Sequence, residues 1–238
     1  MILLLNTASN HKGGSVQVAS SFIKECKNYP KNTYHIILGL SLKDKIKKEN
    51  YPDNFFFYEI SYRPATRVFS LKSQTAFFRE LEKKIQPDVV FTTSGPAYWR
   101  PKAPHVTGFN LGHHIYKDSP FFKIIPFPKK IKWNLKRLVA QYFFKRDSDA
   151  YVVQTDDVNR RLKQWLNTSK PIYTVSNTCS RHFFDPQKFP AKLPEAKEKE
   201  FRLLLLSVYY RHKNLEIIPQ IIDVLPQEMK KRISFILT

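Results

Sequence analysis

A pair of glycines, Gly13 and Gly14, follows the apolar run at residues 1–7 and precedes a segment with helical periodicity. Glycines at such a turn let the backbone approach a ligand closely, and the N–H groups that open the following helix attract an anion. The spacing matches neither the GxGxxG fingerprint nor a P-loop. Two glycines in a turn are more often plain turn chemistry than a binding site, so both interpretations stay open on this segment alone.

A cluster of cations repeats this arrangement near the end of the chain. Arg211, His212 and Lys213 lie between the apolar run at 203–206 and another segment of helical periodicity. Cations beside a helix N-terminus suit a phosphate or a diphosphate. The alternative is a solvated basic loop, which suits a chain this rich in lysine.

Two adjacent histidines, His113 and His114, follow the apolar segment at 103–110. A histidine there could donate a hydrogen bond to a sugar hydroxyl or assist a proton transfer. Consecutive side chains on a strand point to opposite faces, so the pair is a poor metal site. The alternative is that one histidine packs in the core while the other is solvated.

Residues 121–146 form the densest mixture of cations and aromatic rings in the chain. Cations with Trp and Phe are typical of a membrane-interface patch, where each basic residue near an anionic leaflet contributes about 1 kcal/mol. The apolar residues of this segment have core spacing, which predicts that much of the helix packs on its domain. Those residues are Leu135, Leu138, Val139 and Tyr142. The residues expected to contact an acceptor or a membrane are Lys129, Lys130, Lys132, Trp133, Lys136 and Arg137.

Charge favours an anionic partner, because 40 Lys plus Arg stand against 20 Asp plus Glu, for a net charge of +20. The partner could be nucleic acid, an anionic membrane or a phosphorylated small molecule, although no helix-turn-helix, RRM or zinc pattern supports nucleic acid. Cys26 and Cys179 lie far apart without a CxxC pair, which fits a reducing compartment. The first residues predict a strand rather than a signal peptide, and no apolar run approaches a membrane span. We therefore expect a soluble or peripheral protein.

Apolar runs alternate with amphipathic segments along most of the chain. Strands are predicted at 1–7, 33–40, 53–60, 88–95, 103–110, 150–155 and 170–177, and helices at 14–29, 75–87, 131–149 and 156–166. This alternation predicts an α/β fold with a doubly wound, Rossmann-like parallel sheet covered on both faces. Because ligands bind at the carboxyl ends of such strands, we expect the polar segments that follow them to converge on one crevice.

Composition divides the chain into two domains. Residues 185–200 are rich in proline and charge without an apolar period, which is typical of a linker. We therefore predict a first domain at 1–184 and the start of a second Rossmann-like domain at 201–238. The second domain is predicted to contain a strand at 201–208, a helix at 214–224 and a strand at 233–238, and to be incomplete.

Four segments, taken in order, resemble the GT-B glycosyltransferases, most specifically family 4, the retaining enzymes that use nucleotide sugars. NHKGGSVQVASSFI (10–23) is similar to that family's Gly-Gly loop and first helix. DAYVVQTDDVNRRLKQWL (149–166), followed by PIYTVSNTCSRHFF (171–184), is similar to the end of its N-terminal domain. LLLLSVYYRHKNLEIIPQII (203–222) is similar to the start of its donor domain.

The resemblance implies a role for each loop in binding a nucleotide diphosphate sugar. Gly13 and Gly14 match the glycines that approach the donor phosphate and the transferred sugar. Lys213 matches the family's lysine, Val208 stands where the family has an arginine, and Arg211 is the candidate substitute. The family's two donor-binding glutamates would lie beyond residue 238. We therefore expect this chain to be the N-terminal two-thirds of an enzyme, with little or no activity alone.

The resemblance further implies that His113 or His114 is the family's catalytic histidine. We expect no metal and no cofactor, because protein cations and helix dipoles can neutralise the leaving diphosphate. The expected partners are a nucleotide sugar, a membrane-linked glycan or lipid acceptor of surface polysaccharide assembly and an anionic membrane surface, with no nucleic acid. The expected location is the cytoplasm, peripheral on the inner face of the cell membrane. The alternative is a non-enzymatic, basic Rossmann-like module that binds nucleic acid or another anion.

Overall fold

The structure is a computed structural model. It describes residues 1–11, 13–62, 64, 71–178, 184, 195, 197–206, 209 and 213–237, with the side chains of 71–74 excepted. The chain divides into two compact units, Met1–Thr178 and Cys179–Thr238. The domain boundaries at 184, 185–200 and 201 stay a prediction.

The first unit contains a seven-stranded sheet. Its strands are β1 (Ile2–Asn6), β2 (Thr33–Leu38), β3 (Phe55–Glu59), β4 (Val89–Thr92), β5 (His105–Gly108), β6 (Ala150–Val153) and β7 (Ile172–Thr174). They pair in the order β3-β2-β1-β4-β5-β6-β7, and every pair is parallel. The order reverses between β1 and β4, which makes this point the topological switch of a doubly wound sheet. The predicted fold class is confirmed.

Helices cover the sheet because its central strands are apolar on both faces. They are α1 (Gly14–Glu25), α2 (Leu71–Ile85), α3 (Phe121–Ile124), α4 (Phe127–Asp147) and α5 (Asp156–Leu166). Alternation along β1 places Leu3 and Leu5 in one core cluster with Ile23 of α1. Leu4 points the other way and packs in a second cluster with Phe78 of α2. Both layers therefore meet on β1, next to the switch point.

Helix α4 packs on the unit through a different row of residues from the one its spacing predicts. Leu135, Leu138 and Tyr142 are 58–62% exposed, so their predicted burial is wrong. The buried residues of α4 are Ala140, Phe143, Phe144 and Asp147. A helix with two apolar rows of the same period does not reveal from its period which row faces the core. Here the row with the larger rings packs, since Phe144 contacts the rings of Tyr151 and Trp165.

The second unit contains a two-stranded parallel sheet. Its strands are β8 (Phe201–Leu205) and β9 (Ile233–Leu237), joined through α6 (Ile217–Val224) and α7 (Gln227–Lys230). The predicted strands and helix are therefore present. Leu203 and Leu204 of β8 are exposed.

Glu82 of α2 holds the loop between β4 and β5 against the sheet. Its buried carboxylate accepts hydrogen bonds from the backbone N–H groups of Lys102 (2.6 Å) and Ala103 (3.0 Å) and from the indole N–H of Trp99 (3.3 Å). Trp99 is fully buried beside Phe78. One carboxylate thus satisfies three donors that the loop would otherwise leave without protein partners.

We predict that Glu82→Ala lowers the free energy of unfolding by about 2–4 kcal/mol, because it removes a buried acceptor from three donors. Urea denaturation measures this change. Glu80→Ala is the matched control, since Glu80 is exposed on the same helix, and it should change stability by less than about 0.5 kcal/mol. Equal effects of the two substitutions would contradict the anchoring role.

Candidate functional site

A chain of buried hydrogen bonds crosses the centre of the sheet. The Asn6 side-chain amide donates to Thr92 Oγ1 over 3.3 Å, and Thr92 Oγ1 lies 2.8 Å from His105 Nε2. His105 Nδ1 lies 2.7 Å from the backbone oxygen of Asp147, the last residue of α4. These hydrogen bonds therefore join β1, β4 and β5 to the end of α4.

The partners of His105 determine its tautomer. A carbonyl oxygen only accepts, so Nδ1 carries the proton and Nε2 accepts from the Thr92 hydroxyl. A second proton on Nε2 would face hydroxyl oxygens and reverse the Thr92 hydrogen bond. Burial lowers the pKa of His105 to about 4, despite the Asp147 carbonyl, which favours the charged form. This histidine is consequently a neutral structural element at physiological pH.

Hydrogen bonds also join the polar segments that follow β1, β4 and β5. The Thr93 hydroxyl donates to Asn10 Oδ1 over 2.8 Å, and the Asn10 amide donates to the backbone oxygen of Ser15 over 2.7 Å. The Ser94 hydroxyl donates to Asn110 Oδ1 over 2.9 Å. The strand tips thus form one continuous polar edge at the carboxyl end of the sheet.

Gly108 lets the tips of β4 and β5 approach closely. A Cβ atom at this position would lie 2.4 Å from the backbone oxygen of Thr93, which real Cβ contacts do not reach. The absence of a side chain on Gly108 therefore sets the spacing of the edge beside the switch point.

The glycine pair opens helix α1 at this edge. Gly13 has φ +59°, a backbone conformation that favours glycine, and its carbonyl accepts from the N–H groups of Val16 and Gln17. Cβ atoms built on Gly13 and on Gly14 would each have no described atom within 4 Å. The first turn of α1 contains no acidic residue. The open space at the two glycines thus lies at the N-terminus of α1, beside the switch point. Such a position suits an anionic ligand.

A cavity of about 300 Å³ lies next to the short turn that follows β5, Gly112–His114. Its lining residues are His113, Lys117, Phe122, Lys130, Trp133, Asn134 and Arg137. The structure thus brings together four of the predicted site residues that came from two separate segments. The other predicted residues of the basic helix, Lys129, Lys132 and Lys136, are exposed and do not line this cavity.

The two predicted catalytic histidines have different environments. His113 is half-buried in the cavity wall, with its ring centroid 5.3 Å from that of Trp133. His114 is buried and stacks on Trp165 at 5.5 Å and 12°. Burial, and then the neighbouring positive charges, lower the pKa of His114 to about 4. These environments favour packing for His114 and ligand contact for His113; the catalytic role of either stays a prediction.

The cations of the second unit are only partly described. Lys213 is exposed before α6, while Arg211 lies outside the described residues. Their predicted role in binding the donor stays a prediction.

In the part of the chain that the structure describes, every helix is too short or too polar to span a membrane. No group of three His, Cys, Asp or Glu residues there is placed to hold a metal ion. The expectation of metal-independent chemistry stays a prediction.

Two solved structures share this fold over the whole chain. A glycosyltransferase from Rickettsia africae aligns with a TM-score of 0.56 at 16% identity, covering 100% of this chain and 68% of its own. HepE from Anabaena, solved in complex with UDP and glucose, aligns with a TM-score of 0.57 at 13% identity, covering 100% and 69%. The chain therefore shares the GT-B fold of glycosyltransferases.

Sequence comparison adds no closer assignment, because no family model and no curated protein matches the chain. Membership of family 4 and the retaining stereochemistry stay predictions.

Sequence reasoning missed the polar chain around His105 and the anchoring by Glu82. The signal for His105 is a histidine inside an otherwise apolar strand pattern, which requires hydrogen-bond partners. Glu82 carries no comparable signal, since a glutamate on an amphipathic helix normally faces solvent.

We predict that stability falls as the pH is lowered from about 6.5 towards 4. Unfolded histidine titrates near 6.5, whereas His105 and His114 titrate near 4 in the folded chain, so in this window the unfolded state binds more protons. Each histidine contributes a loss of roughly 1 kcal/mol per pH unit. Urea denaturation at pH 7, 6 and 5 measures the slope.

The substitution His114→Phe tests this assignment. Phenylalanine keeps the stack on Trp165 and removes Nδ1, which is buried and has no hydrogen-bond partner among the described residues. The variant should match the parent at pH 7 and lose less stability at pH 5, by about 1–2 kcal/mol. A pH slope identical to the parent's would show that His114 does not titrate as a buried group.

Proposed function

We propose that this protein is a retaining glycosyltransferase of the family 4 type. It transfers a sugar from a nucleotide diphosphate sugar to a membrane-linked glycan or lipid acceptor. The observation that carries the proposal is the open glycine turn at the switch point of a GT-B sheet, with a cationic cavity beside β5 at the same edge.

The donor is proposed to bind at the glycine turn. The space above Gly13 and Gly14 admits a phosphate or a sugar that a side chain would exclude, and the N-terminus of α1 favours its negative charge. HepE, which shares the fold, was solved with UDP and glucose, and this supports a nucleotide sugar as the donor class. In the second unit, Arg211 and Lys213 are proposed as donor-binding residues, because cations can neutralise a diphosphate without a metal ion.

The acceptor is proposed to lie at the cavity beside β5, with His113 positioned to contact it. Support for a membrane-linked acceptor comes from an exposed apolar stripe on α4, spaced by four, four, three and four residues. The stripe consists of Phe127, Ile131, Leu135, Leu138 and Tyr142, each more than half exposed. Helical geometry places these residues on one face, opposite the buried row of α4.

The charges around the stripe match an anionic bilayer. The sequence of α4 contains seven Lys or Arg residues, and its sole acid, Asp147, is buried at the far end. A basic helix with an exposed apolar face lies in a membrane interface, where hydrophobic burial and attraction to anionic lipids add. We accordingly place the protein at the cytoplasmic face of a membrane, in surface polysaccharide assembly.

We predict that Gly14→Ala weakens donor binding without unfolding the protein. The added methyl group meets no protein atom and favours the helix, so stability should be unchanged or higher by about 0.5–1 kcal/mol. The same methyl group would occupy the space of the donor and weaken binding about tenfold or more. Isothermal titration with a panel of UDP-sugars and GDP-sugars measures the affinity.

The matched control is Lys24→Ala, an exposed substitution at the opposite end of α1, which should leave donor affinity unchanged. Unaltered affinity of Gly14→Ala would contradict the proposed donor position.

A gel-shift titration tests the alternative function, a non-enzymatic module that binds nucleic acid. Tight, steeply salt-dependent binding to nucleic acid, without any effect of nucleotide sugars, would favour a non-enzymatic basic module instead.

We predict that the protein binds vesicles that contain anionic lipid and that added salt weakens this binding. The double substitution Leu135→Gln and Leu138→Gln should weaken binding about tenfold, because both side chains are exposed and available to the interface. Vesicle co-sedimentation measures the effect.

Val18→Gln is the matched control, since Val18 is an exposed apolar residue on α1, and it should leave vesicle binding unchanged. Vesicle binding that does not change with salt, or that is unchanged in the double variant, would rule out docking through the stripe.

A further inference from the structure

The cavity beside β5 has a strongly cationic lining. Lys117, Lys130 and Arg137 contribute positive charge, and His113 adds a ring that can donate a hydrogen bond. None of the seven described lining residues carries a carboxylate. The nearest acid in sequence, Asp118, forms an ion pair with Arg161 over 3.4 Å. The lining therefore suits an anion with several acceptor oxygens.

Arg137 is held in place by the core. Its Nε–H donates to the backbone oxygen of His114 over 2.6 Å, and its guanidinium lies 5.5 Å from the centre of the Trp165 ring. These two contacts fix a planar group that has five N–H donors. An oriented guanidinium recognises phosphate oxygens at a lower entropic cost than a flexible lysine does.

Aromatic rings form the second part of the lining. Trp133 lies at the centre, with ring centroids of His113, Phe121 and Phe122 at 5.3, 6.3 and 6.4 Å. Lys136 Nζ lies 5.7 Å from the centre of the same indole ring. Trp133, Phe122 and His113 line the cavity itself, whereas Phe121 does not. Trp133 and Phe122 are the apolar rings of this lining. These two rings form an apolar wall beside the cations. A free inorganic anion has no apolar part to contact this wall.

The cavity also lies next to the apolar stripe of α4. Lys130, Trp133, Asn134 and Arg137 have the spacing of one helix face. At 100° per residue, that face lies roughly a third of a turn from the stripe. A ligand with a charged head and an apolar tail could contact both faces of the same helix.

We propose that this cavity binds the phosphate or diphosphate headgroup of an amphiphile, with the first carbons of its chain against Trp133 and Phe122. This inference rests on the proposed function, because the amphiphile would be the carrier of the acceptor. It specifies the acceptor's chemistry as a phosphate ester rather than a neutral lipid or a free glycan.

The test is isothermal titration of the full 238-residue chain with three probes at fixed salt. Geranyl diphosphate carries both chemical features, inorganic diphosphate has only the charge, and geraniol has only the apolar chain. Geranyl diphosphate should bind about tenfold more tightly than either of the others. No nucleotide sugar is present, so a failure of sugar transfer and a failure of headgroup binding are distinguishable.

Two variants and a control locate the site. Lys130→Gln should weaken geranyl diphosphate about tenfold, since it removes a charge-assisted contact. Lys132→Gln is the control, because Lys132 is exposed on the same helix and does not line the cavity, and it should change affinity less than twofold. Trp133→Leu should weaken geranyl diphosphate and leave inorganic diphosphate unchanged. Thermal unfolding of each variant checks that it is folded.

Several outcomes would overturn the proposal. Equal affinities for geranyl diphosphate and inorganic diphosphate would assign the site to free anions. Geraniol that binds as tightly as its diphosphate would make the site a neutral apolar one. Equal losses of geranyl diphosphate affinity in Lys130→Gln and Lys132→Gln would show that only the net charge of the helix matters. The absence of measurable binding of any probe at millimolar concentration would show that the cavity is not a binding site.

Discussion

The hydrogen-bond chain through His105 fixes the position of helix α4, on which the candidate acceptor site depends. His105 binds the backbone oxygen of Asp147 through Nδ1, and its own backbone N–H donates to the Asp149 carboxylate over 2.9 Å. Thr107 Oγ1 lies 2.7 Å from Ser148 Oγ. The end of α4 is thus bound to β5 at several points. Because a helix is stiff, this attachment also directs its opposite half, which bears Trp133 and Arg137.

The strands and their arrangement in a doubly wound parallel sheet follow from patterns that are visible in the sequence. Every predicted strand of the first unit is present, since runs such as Leu3–Leu5 and Ile36–Leu38 are apolar on both faces and require cover on both sides. Helix α4 shows the limit of such patterns. Its exposed pair Leu135 and Leu138 and its buried pair Ala140 and Phe143 have the same spacing of three residues, and only contacts with distant residues decide which pair is buried.

The site was predictable in its parts and not in its assembly. Glycines and cations at strand ends indicate the carboxyl edge, but the grouping of His113 with Lys130 and Arg137 depends on how α4 folds back over the turn after β5. His113 is half-buried in the cavity wall, whereas His114 is buried against Trp165. Two adjacent histidines in a sequence do not show which of them is buried. Glu82 and His105 were missed for a related reason, because partners such as Thr92, Trp99 and Asp147 lie 13 to 42 residues away in the sequence.

The exposed row on α4 is straight and spans about 22 Å, from Phe127 to Tyr142. A line of contact constrains a body more than a point does. If this row rests on a surface, the first unit keeps sliding and spinning within the plane and rocking about the axis of α4, while tilting that lifts one end of α4 is lost. Its encounter with a partner in the same membrane then becomes a two-dimensional search.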